Sequence, residues 1–240
     1  MYYKFTVGFP MTPRHTFWFR SNILILAGIL AVQAAWLVTA ELIRPKLPYF
    51  PQDKASEERA SAAQNAAITA ASIGWVRGDL WTDAAIALSS GLTSEVPGEG
   101  DPQMAILRGQ ARVLAQRAAR LSPHDSRIWL LLAALDSRFD WPSEIANRLN
   151  MSYFTGPNEP ALTPLRIRTA TRSTAITDAE LQTLVAQEIR AITLRRQDQK
   201  PSLLAAYRDA SPEGKQFIET TVGDLDKNLL AEIRALDNRP

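Results

Sequence analysis

Residues 111–135 read ARVLAQRAARLSPHDSRIWLLLAAL. The first part is a helix that Asp101-Pro102 can open, as N-cap and first-turn proline, and that runs to Leu121. Pro123 marks a turn, and Asp125 can cap a second helix carrying Ile128, Trp129, Leu131, Leu132 and Leu135. Two helices joined by so short a turn must run antiparallel. The same grammar extends in both directions. Upstream, a helix over residues 53–77 with a small-residue face around Ala62, Ala66 and Ile73 is broken and recapped by Gly78-Asp79, and a second helix covers 80–91. The segment TSEVPGEGDP (93–102) is a loop. Downstream, Pro142 starts a helix with Ile145 and Leu149, and Thr177 has capping-box spacing to Glu180 ahead of Leu181, Leu184, Val185, Ile189 and Ile192. Ser211-Pro212 opens a helix that Gly223 stops, and Asp226 caps a last one with Leu229, Leu230 and Ile233. No strand alternation competes with these signals, so the predicted fold class is all-α.

Composition narrows the chemistry. The 240 residues contain no cysteine, which excludes disulfides, thiolate metal sites and a thiol nucleophile. The net charge of +2 is concentrated at one end: residues 1–20 hold Lys4, Arg14 and Arg20 and no acid, leaving 24 basic and 25 acidic groups in the rest. A nucleic-acid binder needs a basic stripe on its folded domain, and none is visible. Arg190, Arg195 and Arg196 read as a solvated helix face.

Residues 21–40, SNILILAGILAVQAAWLVTA, carry no charged side chain. Twenty helical residues span about 30 Å, the thickness of a bilayer core, where lipid leaves a helix as the only way to satisfy the backbone. A transmembrane helix over 21–43 is therefore predicted, with Trp18 and Phe19 as interfacial anchors at one end and Trp36, Tyr49 and Phe50 at the other. Ala27, Ala31 and Ala35 form a weak small-residue face. A cleaved secretory signal ending at Ala40 is the alternative, but the run exceeds the 7–15 residues usual for one. Three basic groups in the tail face Arg44, Lys46 and Lys54 beyond the span. Because the tail lacks acids and a long distal part translocates whatever its charge, the expected orientation is tail inside and domain outside. Pro45, Pro48 and Pro51 make RPKLPYFPQ (44–52) an extended linker.

The 111–135 stretch is similar to the tetratricopeptide pattern. On that resemblance Pro123 is the terminal proline, Trp129 and Leu132 fill the seam between units, and Ala133 is the close-approach position. Pro157 follows Pro123 by 34 residues, the period of this repeat. IGWVRGDLWTDAAIAL (73–88) resembles the middle of an earlier unit, with Gly78-Asp79 at the turn and Ala84 or Ala85 at the contact. Asp136 stands where an aromatic is usual. The expected organisation is a tail (1–20), the span (21–43), a linker (44–54), tetratricopeptide-like hairpins (55–160) and a helical extension (161–240). ARLSPHDSRIWLLLAALDSRF (119–139), MSYFTGPNE (151–159) and AAYRDASPEGKQFIE (205–219) also resemble, more loosely, single-pass alphaproteobacterial proteins associated with exopolysaccharide or O-antigen production.

Catalytic constellations are sparse. His15 and His124 fall on opposite sides of the predicted span, and no phosphate loop, dinucleotide pattern or metal-ligand cluster occurs, so no cofactor is expected. Glu57 with Glu58, or Glu213 with Glu219, can be drawn as a glycosidase pair, but acids at helix starts are explained by the helix dipole. Trp75, Trp81, Trp129 and Trp141 suit a sugar groove or, more simply, the seams between helices. Arg166, Arg168 and Arg172 form the candidate patch for a partner. These features predict a non-enzymatic, membrane-tethered adaptor that binds a membrane or envelope protein through a groove around residues 102–172. A glycan-acting envelope enzyme and a soluble periplasmic binding module are the alternatives.

Overall fold

The computed structural model describes residues 13–46, 50–51, 53–90, 92, 102–137 and 141–237, and no strand occurs among them. The helices are α1 (Pro13–Ile43), α2 (Lys54–Ile73), α3 (Gly78–Leu88), α4 (Pro102–Leu121), α5 (Ser126–Asp136), α6 (Pro142–Thr155), α7 (Thr163–Arg172), α8 (Ala179–Leu194), α9 (Lys200–Arg208), α10 (Pro212–Gly223) and α11 (Lys227–Asp237). Short 3-10 turns at Thr174–Thr177 and Gln197–Gln199 precede α8 and α9.

Local chemistry explains most boundaries. The Asp53 carboxylate accepts the Ser56 N–H at 2.6 Å while the Ser56 hydroxyl accepts the Asp53 N–H, a reciprocal cap on α2. Asp125 accepts the Arg127 N–H at the start of α5, Ser211 the Gly214 N–H at α10, and Asp226 the Asn228 and Leu229 N–H groups at α11. Three expectations shift. Asp178, not Thr177, caps α8: its carboxylate accepts the Leu181 N–H at 2.8 Å, while the Thr177 hydroxyl turns back to the Thr174 carbonyl. A charged acceptor suits the positive end of the helix dipole better than a hydroxyl. α2 stops at Ile73 rather than Arg77, because Gly74 ends it with its N–H on the Ala70 carbonyl, and α3 begins at once at Gly78 and ends at Leu88. The buried face of α2 is Ala60, Ala67, Ala70 and Ala71, whereas Ala62 is exposed. Residues 93–101 of the predicted loop, with the expected cap Asp101, lie outside the described residues.

α3 is covered on every side, with Leu80 to Leu88 all buried. It lies between α2 and α4, whose facing alanines (Ala67, Ala70 and Ala71; Ala111, Ala115 and Ala118) allow the axes to approach closely. Gly78 serves the same close packing, since a Cβ there would sit 2.8 Å from the Ser122 backbone nitrogen. α5 pairs with α6, and α7 to α10 pack on one another, with α11 closing on α9 and α10. One continuous apolar core runs from Ala40 to Ile233, so residues 161–237 share the core of the helices before them.

α1 is long and apolar enough to cross a membrane, and its apolar side chains are bare: Leu24 is 72% and Val32 71% exposed. It starts before the predicted span, so Trp18 and Phe19, both exposed, belong to the helix rather than to a tail. Its other end is built into the domain. Ala40 is fully buried and the Trp36 indole N–H donates to the Ile73 carbonyl at 2.7 Å. The polar atom of Trp36 is thus committed to protein. Phe50, expected at the membrane interface, is buried in the core instead, and Tyr49 lies outside the described residues. The anticipated spacer therefore holds two residues, Arg44 and Phe50, that are fixed by the domain.

Candidate functional site

The three arginines on α7 go to two different places. Two positions apart on a helix means nearly opposite faces, and four apart means the same face. Arg166 points inward and is fully buried. Its guanidinium donates to the Ser152 carbonyl (2.5 Å) and hydroxyl, and to the Gly156 carbonyl (2.9 Å); it lies 4.5 Å from the Tyr153 ring centroid and 3.6 Å from the Glu188 carboxylate. It ties the end of α6 to α7 and α8, and it is out of a partner's reach. Arg168 and Arg172 share the outer face, where both are half-buried.

The Arg166 site is a closed polar network. Glu188 also accepts from the Tyr153 hydroxyl at 2.7 Å and the Thr163 hydroxyl at 2.9 Å. Burial raises the Glu188 carboxyl above the ordinary carboxylate range despite these donors and Arg166, and burial together with Glu188 raises the Tyr153 phenol well above its own. The consequence for stability has a definite sign. With a folded pKa above the free value of 4.5, the native state holds a proton that the unfolded chain has already lost. The Glu188 contribution is complete below pH 4.5 and declines as pH rises through the raised value. E188Q is expected to flatten this part of the stability-versus-pH curve, measured by thermal unfolding across pH 4 to about 8. An unchanged slope would contradict the assignment.

Arg168 opens onto a cleft of about 600 Å³ between the start of α2 and helices α7 and α9. Phe50, Pro164, Leu165 and Ala205 provide its apolar lining; Lys54, Glu57, Arg168, Arg208 and Asp209 supply charges of both signs. Arg168 is held at the rim by an ion pair with Asp209 at 2.7 Å. Arg172 faces an adjoining recess with Leu92, Ser137 and Thr169. The cleft thus draws on the chain well past residue 172, outside the range the sequence suggested.

A second polar cluster joins the end of α1 to the domain, and nothing in the sequence pattern announced it. Asp83, 7% exposed on α3, accepts from Arg44 Nε at 2.7 Å and from Arg127 at 3.1 Å. Arg44 also reaches Asp79 at 3.0 Å, and Arg77 bridges Asp79 to Glu41. Burial pushes the Asp83 carboxyl up, opposed by the two arginines. An open cavity of about 430 Å³ adjoins the cluster and is lined in part by the exposed His124, by Asp125 and by Glu159. Asp136, where the repeat pattern has an aromatic, is fully buried between Arg148 and Arg112.

The tryptophans separate as well. Trp81 is buried under the Arg117 guanidinium, 3.9 Å from its ring centroid, and Trp129 donates to the Pro123 carbonyl at 2.7 Å. Trp75 (58% exposed) and Trp141 (45%) are neither buried in seams nor adjacent: one sits in the α2–α3 turn, the other just before the start of α6 beside Arg112. Glu219 is engaged by the Tyr207 hydroxyl and by Arg234. Among the described residues no group of three or more His, Cys, Asp or Glu side chains is placed to hold a metal ion. Compared with known protein families, with curated proteins and with solved structures, the chain matches none.

Proposed function

We propose that this chain is a single-pass, membrane-anchored adaptor whose tetratricopeptide-like hairpins dock a segment of a membrane or envelope protein on the extracytoplasmic side. The observation that carries the reading is the cleft at Arg168, an apolar trough with charged lips, on a domain fixed to the end of an apolar helix. A trough of this kind receives an extended peptide or a helix by burying its apolar side chains and pairing its charges at the rim. The hairpin reading is supported by the succession α3/α4 and α5/α6, by α3 touching α5 and α5 touching α7, and by the prolines that follow α4 and α6 at one repeat length. An anchor raises the effective concentration of such a site for other membrane proteins. The partner proposed on the looser resemblance is a component of envelope polysaccharide assembly or export.

The test is a photo-crosslinker at Ser202, in the cleft, in full-length protein within its native membrane. A discrete adduct with one membrane or envelope protein is expected, and Leu165→Arg, which puts a charge on the cleft floor, should abolish it while the protein still folds. No adduct, or an adduct indifferent to Leu165→Arg, would overturn the adaptor reading. A topology reporter fused after residue 240 tests the side of the membrane independently.

A further inference from the structure

The α2–α3 turn sits at a particular height on α1. The Ile73 carbonyl is bonded to Trp36, and Arg77 is bonded to Glu41 at 2.8 Å, so residues 74–76 lie between those two levels. Trp36 and Glu41 are about 7 Å apart along the helix axis. Glu41 is the first charge after the uncharged run that ends at Ala40, so the turn lies where a spanning α1 would leave the hydrocarbon. At this level the turn presents Trp75 and Val76, 58% and 48% exposed.

The backbone of this turn is prepared for a medium poor in water. The Ile73 carbonyl accepts from the Trp36 indole, the Gly74 carbonyl from the Arg77 N–H at 2.7 Å, and the Trp75 carbonyl from the Trp81 indole at 3.1 Å. Carbonyls of an exposed turn normally leave this task to water; three in succession with protein donors, among them the indoles of Trp36 on α1 and Trp81 on α3, lower the cost of placing a turn against lipid. Trp is also the side chain best suited to the boundary between headgroups and acyl chains.

We propose that Gly74–Arg77 is a lipid-facing foot: Trp75 and Val76 insert into the headgroup–acyl boundary next to the exit of α1, and the domain rests on the bilayer with this edge rather than swinging from a tether. The inference depends on α1 crossing the membrane, and its test separates the two claims. Because the chain has no cysteine, single cysteines at V76C, at I29C in mid-α1 and at A55C at the distant start of α2 can each carry a nitroxide. In full-length protein reconstituted into phosphatidylcholine vesicles, the ratio of collisions with oxygen to collisions with a water-soluble nickel chelate reads depth. I29C should give the highest ratio, A55C the aqueous value, and V76C a several-fold rise over A55C. Adding W75D should return V76C toward the aqueous value. V76C equal to A55C with I29C high overturns the foot and leaves the span standing. A label merely screened by protein loses collisions with both reagents without the rise in ratio, and this outcome also counts against the foot. An aqueous ratio at I29C overturns both claims.

Discussion

Replacing Arg166 by alanine is expected to cost about 3–5 kcal/mol, because it strands a mostly buried Glu188 without its cation. The loss includes more than one ion pair: the carbonyls of Ser152 and Gly156 and the hydroxyl of Ser152 lose their donor, and the Tyr153 ring loses the cation stacked on it. For a chain of this size such a change lowers the unfolding midpoint by roughly 10 °C. Lysine should recover little, since one ammonium cannot serve the separated acceptors that the flat guanidinium reaches together. The measurement is thermal unfolding of the full-length protein in detergent, alongside the crosslinking assay at Ser202. If R166A unfolded at the wild-type temperature but lost the adduct, Arg166 would be a recognition residue after all, and the network described here would be wrong.

Asp83→Ala should have the next largest effect, about 2 kcal/mol, since it removes a mostly buried carboxylate that two guanidiniums share, while Arg44 keeps Asp79 and Arg127 keeps Asp125. Its consequence is mechanical as well as energetic. Asp83 is the group that Arg44, beyond the end of α1, and Arg127, on α5, both address, so its loss weakens the seat of α1 on the domain. Trypsin cleavage after Lys46, two residues beyond Arg44, is expected to accelerate in D83A, while D83N, which keeps the acceptor oxygen, should lie between. Equal cleavage rates in all three proteins would show that the anchor is held elsewhere, by Trp36 and Ala40. This clamp bears on the lipid-facing foot too, because a domain free to swing could not keep Trp75 at one depth.

The ends of helices were largely legible because a cap is a local event. Asp53, Asp125, Ser211 and Asp226 each bond an N–H two or three residues ahead, and Pro102 and Pro142 stand at the first helical position. The error at Thr177 is of the same local kind, a choice between two adjacent oxygens. The burial of Arg166 was half legible: its spacing to Arg168 and Arg172 separates it from them, but not which face turns inward. The cleft could not be read at all, since Phe50, Leu165 and Ala205 meet only after the chain has folded back across more than 150 residues.

The sequence by itself determined an all-helical chain with one apolar segment long enough to cross a bilayer, because periodicity, capping and the absence of charge act over a few turns of helix. The tertiary structure alone decided which charges are structural and which face outward. Asp83 meets Arg44 and Arg127 across 39 and 44 residues, and Arg166 meets Glu188 across 22; the desolvation that makes these pairs compulsory exists only once the core has closed around them.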